Sequence, residues 1–207
     1  MIVLGYDPGG ADSANGVALL DATGERVTHA TQSVCSVDEA VAWFEGKVDG
    51  RAPDAAGIDT LLYWETGRCG WRQADRWLKQ RYPDVRGSVF SANSALGCMA
   101  VQGMALAMRL RERWPGIALS EAHPKVLYRA LSGRRYAWGA AMDAWLGTHL
   151  GRPAGTGCAN DHEWDALISA WAAWMGSTGR WTLDLRSLSA APIEPVRDVT
   201  YWWPPDV

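Results

Sequence analysis

MIVLGYDPGGADSANGVALLDATGERVTHATQS, residues 1–33, is the stretch whose reading decides the fold. Residues 1–6 form a short apolar run rich in branched side chains, and it stops at Asp7, where Pro8, Gly9 and Gly10 are turn formers. NGVALLDATGERVTHATQS then reads as a second strand, a turn at Thr23 and Gly24, and a third strand. Strands this closely spaced predict an antiparallel meander, with Asp7 at the end of its first member.

Downstream the period changes. Val37, Ala40, Val41 and Phe44 recur at helical spacing over 36–48, and Ser36 with Glu39 is placed as a capping box. AAGIDTLLYW (55–64) is apolar except for Asp59 and Thr60, the pattern of a buried strand with one polar interruption. Helices are predicted over about 71–81 and 94–114, with a loop, VRGSVFSANS, between them. ALSEAH (118–123) is a further strand that enters a helix at Pro124, a residue suited to a first helical turn. An amphipathic segment over about 138–150, a Gly-rich loop, a helix beginning at NDHEWDALISAW (160–171), a strand at WTLDL and a Pro- and Trp-rich tail complete the chain. The order predicts an α/β protein: a mixed sheet with three antiparallel N-terminal strands followed by parallel strands, flanked by helices. The expected organisation is one domain over 1–179, with a helical insertion at about 66–114, and a C-terminal strand and tail over 180–207 packed on that domain or on a partner.

Composition bounds the function. A chain of 207 residues with 48% hydrophobic and 21% charged residues has ample material for a continuous core, and disorder is excluded. The 13 tryptophans predict dense packing plus some aromatic surface. A formal charge of -3 argues against a protein that coats nucleic acid by bulk electrostatics, while leaving room for local basic patches. Cys35, Cys69, Cys98 and Cys158 form no CxxC pair, so neither a zinc knuckle nor a redox dithiol is indicated. No signal-like or membrane-length apolar segment is present, and the expectation is a reduced, cytoplasmic protein.

Four carboxylates stand where strand ends or a helix start would place them: Asp7, Asp59, Glu121 and Asp165. Each has a plain structural explanation to beat. Asp7 before Pro-Gly-Gly can cap a turn, and Glu121 can pair with a neighbouring arginine. Asp59 in an apolar strand is harder to dismiss, because an unpaired buried carboxylate is costly. On the 160–171 helix, residues advance by about 100° each, so Trp164, Leu167, Ile168, Trp171, Trp174 and Met175 form a core stripe. Asp161, His162 and Asp165 fall together beside one edge of it, and Glu163 beyond the other. Asn160 with Glu163 is a capping arrangement and Asp161 can complement the helix dipole. Capping does not explain Asp165, which lies deeper and borders the buried face.

Acids converging from two or three strands and one helix have a chemical use. Hard divalent cations, Mg2+ or Mn2+, prefer oxygen ligands, and two of them can hold the attacking and leaving oxygens of a phosphodiester. The candidate ligands are Asp7, Asp59, Glu121, Asp161 and Asp165, with His162 placed to orient water or protonate a leaving group.

At this point the sequence resembles the ribonuclease H-like superfamily. LGYDPG, AGIDTLL and HEWDALISAW are similar to its first-strand Asp, fourth-strand acid and late-helix Asp, in that order. The spacing from His162 to Asp165 followed by Ala166 and Leu167 is similar to the late helix of RuvC-type Holliday-junction resolvases. A closer resemblance is to an uncharacterised branch of predicted nucleases, domain of unknown function four-two-nine. It runs through TGRCGWRQADRWL, SVFSANSALG, AVQGMALAMRLRERW and SEAHPKVLYRAL, over roughly residues 1–175. It implies Asp7, Asp59, Glu121 and Asp165 as the acidic set, with His123 and Lys125 as polar neighbours. RuvC-type proteins carry a Glu on the fourth strand, whereas this strand offers Asp59, with Glu65 beyond it; the choice between them stays open here.

Arg68, Arg72 and Arg76 recur every four residues with Trp71 and Trp77 among them, a pattern suited to phosphates and stacked bases. Arg134, Arg135 and Tyr136 form a second candidate for contact with DNA or RNA, and Lys125 is a further one. The leading expectation is a metal-dependent nuclease. The alternatives are a non-catalytic nucleic-acid- or protein-binding module that keeps the fold, and an actin-like phosphotransferase suggested by the DPGGADSANGVALLD hairpin. Length opposes the last, because that architecture needs two such domains. YWWPPD near the C-terminus would be costly to leave bare and calls for its own core or a homodimer partner.

Overall fold

Residues 1–10, 12–66, 68–94 and 97–205 are described by the computed structural model. The N-terminal meander forms as read: β1 (Ile2–Asp7), β2 (Asn15–Asp21) and β3 (Thr28–Val34) pair antiparallel. After α1 (Val37–Val48), capped by the Ser36 side chain, β4 (Ala55–Asp59) joins β1 in parallel. The chain continues through α2 (Gln73–Arg81), α3 (Gly97–Arg113), β5 (Ala118–Ala122), α4 (Pro124–Ser132), α5 (Ala140–His149) and α6 (Asp161–Ser177). β6 (Leu183–Asp184), β7 (Val199–Thr200) and β8 (Trp202–Trp203) follow. The main sheet has the order β3-β2-β1-β4-β5-β7, with every pairing beyond β1 parallel, and β6 pairs with β8 separately. This is the mixed, helix-flanked sheet that the order of elements predicts, three antiparallel strands first and parallel strands after them.

β4 is shorter than the apolar run 55–64. The chain leaves the sheet after Asp59, and the Leu62 N–H donates to Glu121 Oε2 (3.0 Å) rather than to a strand. Leu62 and Tyr63 stay buried, so hydrophobicity alone overstates the strand. The tail is also settled by packing: Trp203 is 1% exposed and its indole N–H donates to the Tyr82 hydroxyl (3.1 Å). YWW therefore lies on the chain's own core. Among the described residues, no helix is long and apolar enough to cross a membrane.

The central helix α6 corrects the reading of a single core stripe, because every residue from Glu163 to Trp174 is buried. Its small-residue side lies on the sheet, where a Cβ added at Gly16, Gly5 or Gly57 would run into the carbonyl oxygens of His162, Ala166 and Ser169 respectively. Its aromatic side packs away from the sheet: Trp164 meets Tyr128, Tyr136 and Trp145, and Trp171 meets Trp145 and Trp181. A helix held between two layers is buried all round.

Glycine on three neighbouring strands brings the α6 backbone against the sheet, and this has a measurable consequence. Gly57→Ala is expected to lower stability by about 3 kcal/mol, since the clash is with backbone that cannot rotate away. Gly46→Ala, in the open on α1, is expected to raise it by about 0.5–1 kcal/mol. Urea unfolding of both variants checks the pair; equal effects would show that the helix does not sit on the strand.

Candidate metal centre

Strand parity selects the site. Asp7 lies two residues beyond Gly5 and Asp59 two beyond Gly57, so both side chains share the face on which α6 rests. Asp165 comes down from α6 onto the same spot. One carboxylate oxygen from each of Asp7, Asp59 and Asp165 lies within 4.8 Å of the others. Asp7 is 3% exposed and Asp165 4%, while Asp59 is half-buried.

Three carboxylates this close and this dry resist ionisation together. Burial raises the Asp7 carboxyl above its ordinary value, opposed by the hydrogen bond with His162. Asp59 is pushed well up by burial and then by the charge of Asp7, and Asp165 by burial and then by Asp7 and Asp59. Lys125 lies near enough that its charge favours the ionised form of all three.

Two neighbours hold the trio in place. His162 Nδ1 is 2.6 Å from Asp7 Oδ2, and this bond, working against burial, lifts the imidazole above its ordinary value. The turn-capping alternative for Asp7 is thereby displaced, since Gly9 N–H donates to Asn15 Oδ1 instead (2.8 Å). Tyr136 donates its phenol O–H to Asp165 Oδ1 (2.9 Å). Burial and the adjacent carboxylates keep that phenol protonated. The sequence marks Tyr136 only as an aromatic beside two arginines; its tie to Asp165 spans 29 residues and has no local signal.

Glu121 is elsewhere. It is level with Ile58 in the parallel register, so it shares the face of Ile58 and points away from Asp59. There it receives Arg72 Nη1 at 2.7 Å and Nη2 at 2.6 Å. Nε and Nη2 of Arg72 also donate to Asp75 (3.0 and 2.7 Å), and Nη1 to the Tyr63 carbonyl (3.3 Å). Arg72 is 1% exposed, with all five N–H groups engaged, so the expectation of a phosphate contact is corrected to a buried structural cation. Burial opposes its charge, but Glu121 and Asp75 hold it well above the ordinary guanidinium value. At the other end burial still raises Glu121 despite Arg72; the fully met donors argue that the ion pair stands.

The remaining candidates divide by position. Glu65 accepts from Gln73 N–H (3.1 Å) and from the Ser189 hydroxyl, so the acid beside Asp7 is Asp59. Asp161 occupies the first turn of α6, outside the trio. Glu163 turns toward β3, accepting from Thr31 and Ser33 (2.8 and 3.0 Å), while the Asn160 side chain caps its N–H (3.0 Å). Arg76, Lys125, Arg134 and Arg135 are exposed; the Arg68 side chain lies outside the described residues. Arg134 and Arg135 precede Tyr136 on one connection, which the Tyr136–Asp165 bond ties to the trio.

Oxygen donors alone, mutually repelling and largely shielded from water, fit a hard divalent cation better than a soft one. Comparison with solved structures finds a similarity to the Thermus thermophilus RuvC structure: 18% sequence identity and a TM-score of 0.49, covering 86% of this chain and 97% of that one. No family model matches the chain, and no curated protein matches it.

Proposed function

We propose that the protein is a divalent-metal-dependent nuclease of the ribonuclease H-like type, hydrolysing phosphodiesters of DNA or RNA. One observation carries the reading: carboxylate oxygens from the first strand, the fourth strand and the late helix meet within 4.8 Å, a donor set whose mutual repulsion a bound cation would offset. Narrower kinship with the four-two-nine branch belongs to the same proposal and rests on the quoted segments alone.

Asp7, Asp59 and Asp165 would hold Mg2+ or Mn2+. The bound cation supplies charge neutralisation for the phosphodiester and a stronger water nucleophile. His162 has its Nδ1 committed to Asp7, which leaves Nε2 to exchange a proton with the leaving oxygen. Tyr136 orients Asp165, and Lys125 lowers the cost of three adjacent negative charges. Arg134 and Arg135, with Arg76 as a further contact, would hold the strand by its phosphates.

Calorimetric titration with Mn2+ tests the reading. Wild type should bind and Asp7→Asn should not; a wild type that fails to bind even with a non-cleavable oligonucleotide present would overturn it. His162→Gln is expected to slow cleavage about a hundredfold. The wild-type pH–rate profile should lose activity on a basic limb as His162 gives up the proton it supplies to the leaving oxygen. That limb should be missing from the variant.

A further inference from the structure

Asp59 belongs to two surfaces. Besides closing the acidic trio, it forms part of the wall of a cavity of about 210 Å3 enclosed by the segment after β4, the 87–94 stretch, the start of α3 and the start of α4. The volume is smaller than the ~300–1,000 Å3 of pockets that take whole drug-sized ligands, and suits a single ring system. Leu61, Val89, Phe90 and Met99 provide apolar walls, and Ser88 and Ser91 add hydroxyls.

Charge decides what kind of ring. Asp59, Asp75 and Glu121 face the cavity against Arg72 and Lys125, and every Arg72 donor is already spent on protein acceptors. A phosphate is therefore disfavoured there. His123 also lines the cavity, and burial lowers its imidazole to about 4; one ring N–H is spent on the Ser88 backbone, so the neutral ring keeps one acceptor for a ligand. Its buried Nδ1 has no hydrogen-bond partner in the protein. Phe90, at 43% exposure, is a large apolar ring left open to solvent on this wall. Neutral edge-bonding groups beside an open aromatic ring match a planar, uncharged heterocycle.

We propose that this cavity receives one unstacked nucleobase of the strand whose phosphodiester lies at the acidic trio. The identity of that strand rests on the nuclease reading; base binding itself does not. Asp59 joins the two places, so a base in the cavity fixes which linkage reaches the acids.

The test uses metal-free protein and single-stranded oligonucleotides carrying 2-aminopurine or an abasic site at one position at a time. Wild type should change the 2-aminopurine fluorescence and bind the base-bearing strand about tenfold more tightly than the abasic one at one position. Phe90→Ala, which removes the open ring, and Met99→Trp, which fills the cavity, should each abolish that preference and leave Mn2+ titration unchanged. Asp165→Asn should keep it. Equal affinity for base-bearing and abasic strands, or a preference that survives in both cavity variants, would overturn the proposal. A preserved base preference in a protein that takes no metal would support the cavity and sink the nuclease reading instead.

Discussion

Arg72→Met is expected to cost about 3–5 kcal/mol of stability, because removing the guanidinium leaves Glu121 and Asp75 buried beside each other with no cation. For a chain of this size that lowers Tm by on the order of 10 °C. Both carboxylates are 2% exposed and cannot turn to solvent without opening the packing between α2 and β5. Arg72→Lys should recover only part of the loss, since an ammonium cannot serve two carboxylates and the Tyr63 carbonyl in one fork, nor stack as the guanidinium does 4.4 Å from the Tyr63 ring. Combining Arg72→Met with Glu121→Leu should destabilise by less than the sum of the two, the signature of a shared buried interaction. Thermal melts decide the matter. An unchanged Tm with weakened oligonucleotide binding would return Arg72 to the surface role its spacing first suggests.

Asp165→Asn should move activity and stability in opposite directions. Metal-dependent cleavage is expected to fall by about three orders of magnitude, equivalent to roughly 4 kcal/mol of barrier. The metal-free protein should become more stable at neutral pH. Asp7, Asp59 and Asp165 all have carboxyl pKa values raised in the folded state, mainly by burial, so the native protein binds protons more tightly than the unfolded chain. Their contribution is present at and below the ordinary carboxylate range and is lost as pH rises through the raised values. His162, also raised, adds in the same direction over a higher window, from its ordinary value upward. Wild type without metal should therefore gain stability from this site as pH falls from neutral toward the carboxylate range, and Asp165→Asn should flatten that trend. Mn2+ should stabilise wild type more at neutral than at acidic pH, because protons compete for the same oxygens. A metal-free Tm that drops in Asp165→Asn at neutral pH would show that the three acids are not in mutual repulsion.

What the sequence determined by itself are the features whose physics is local. Apolar runs bounded by Asp7-Pro8-Gly9 and by Thr23-Gly24 suffice for the meander, and Ser36 and Asn160 cap α1 and α6 as their positions require. Asp7, Asp59 and Asp165 stood out because each interrupts or borders a segment that otherwise belongs in a core. Tertiary structure alone decided which acids meet. Glu121 looks equivalent to Asp59 along the chain, but parallel register sets it level with Ile58 and turns it to the opposite face. Arg72 looks like one member of a basic helix face until α2 docks and closes it in with Glu121. Tyr136 reaches Asp165, and the 87–94 stretch walls a cavity beside Asp59, only because elements distant in sequence are laid side by side. Periodicity tells which residues share a side of one element; which side faces which neighbour is a property of the assembled layers, set by strand register and by glycines small enough to admit the backbone of α6.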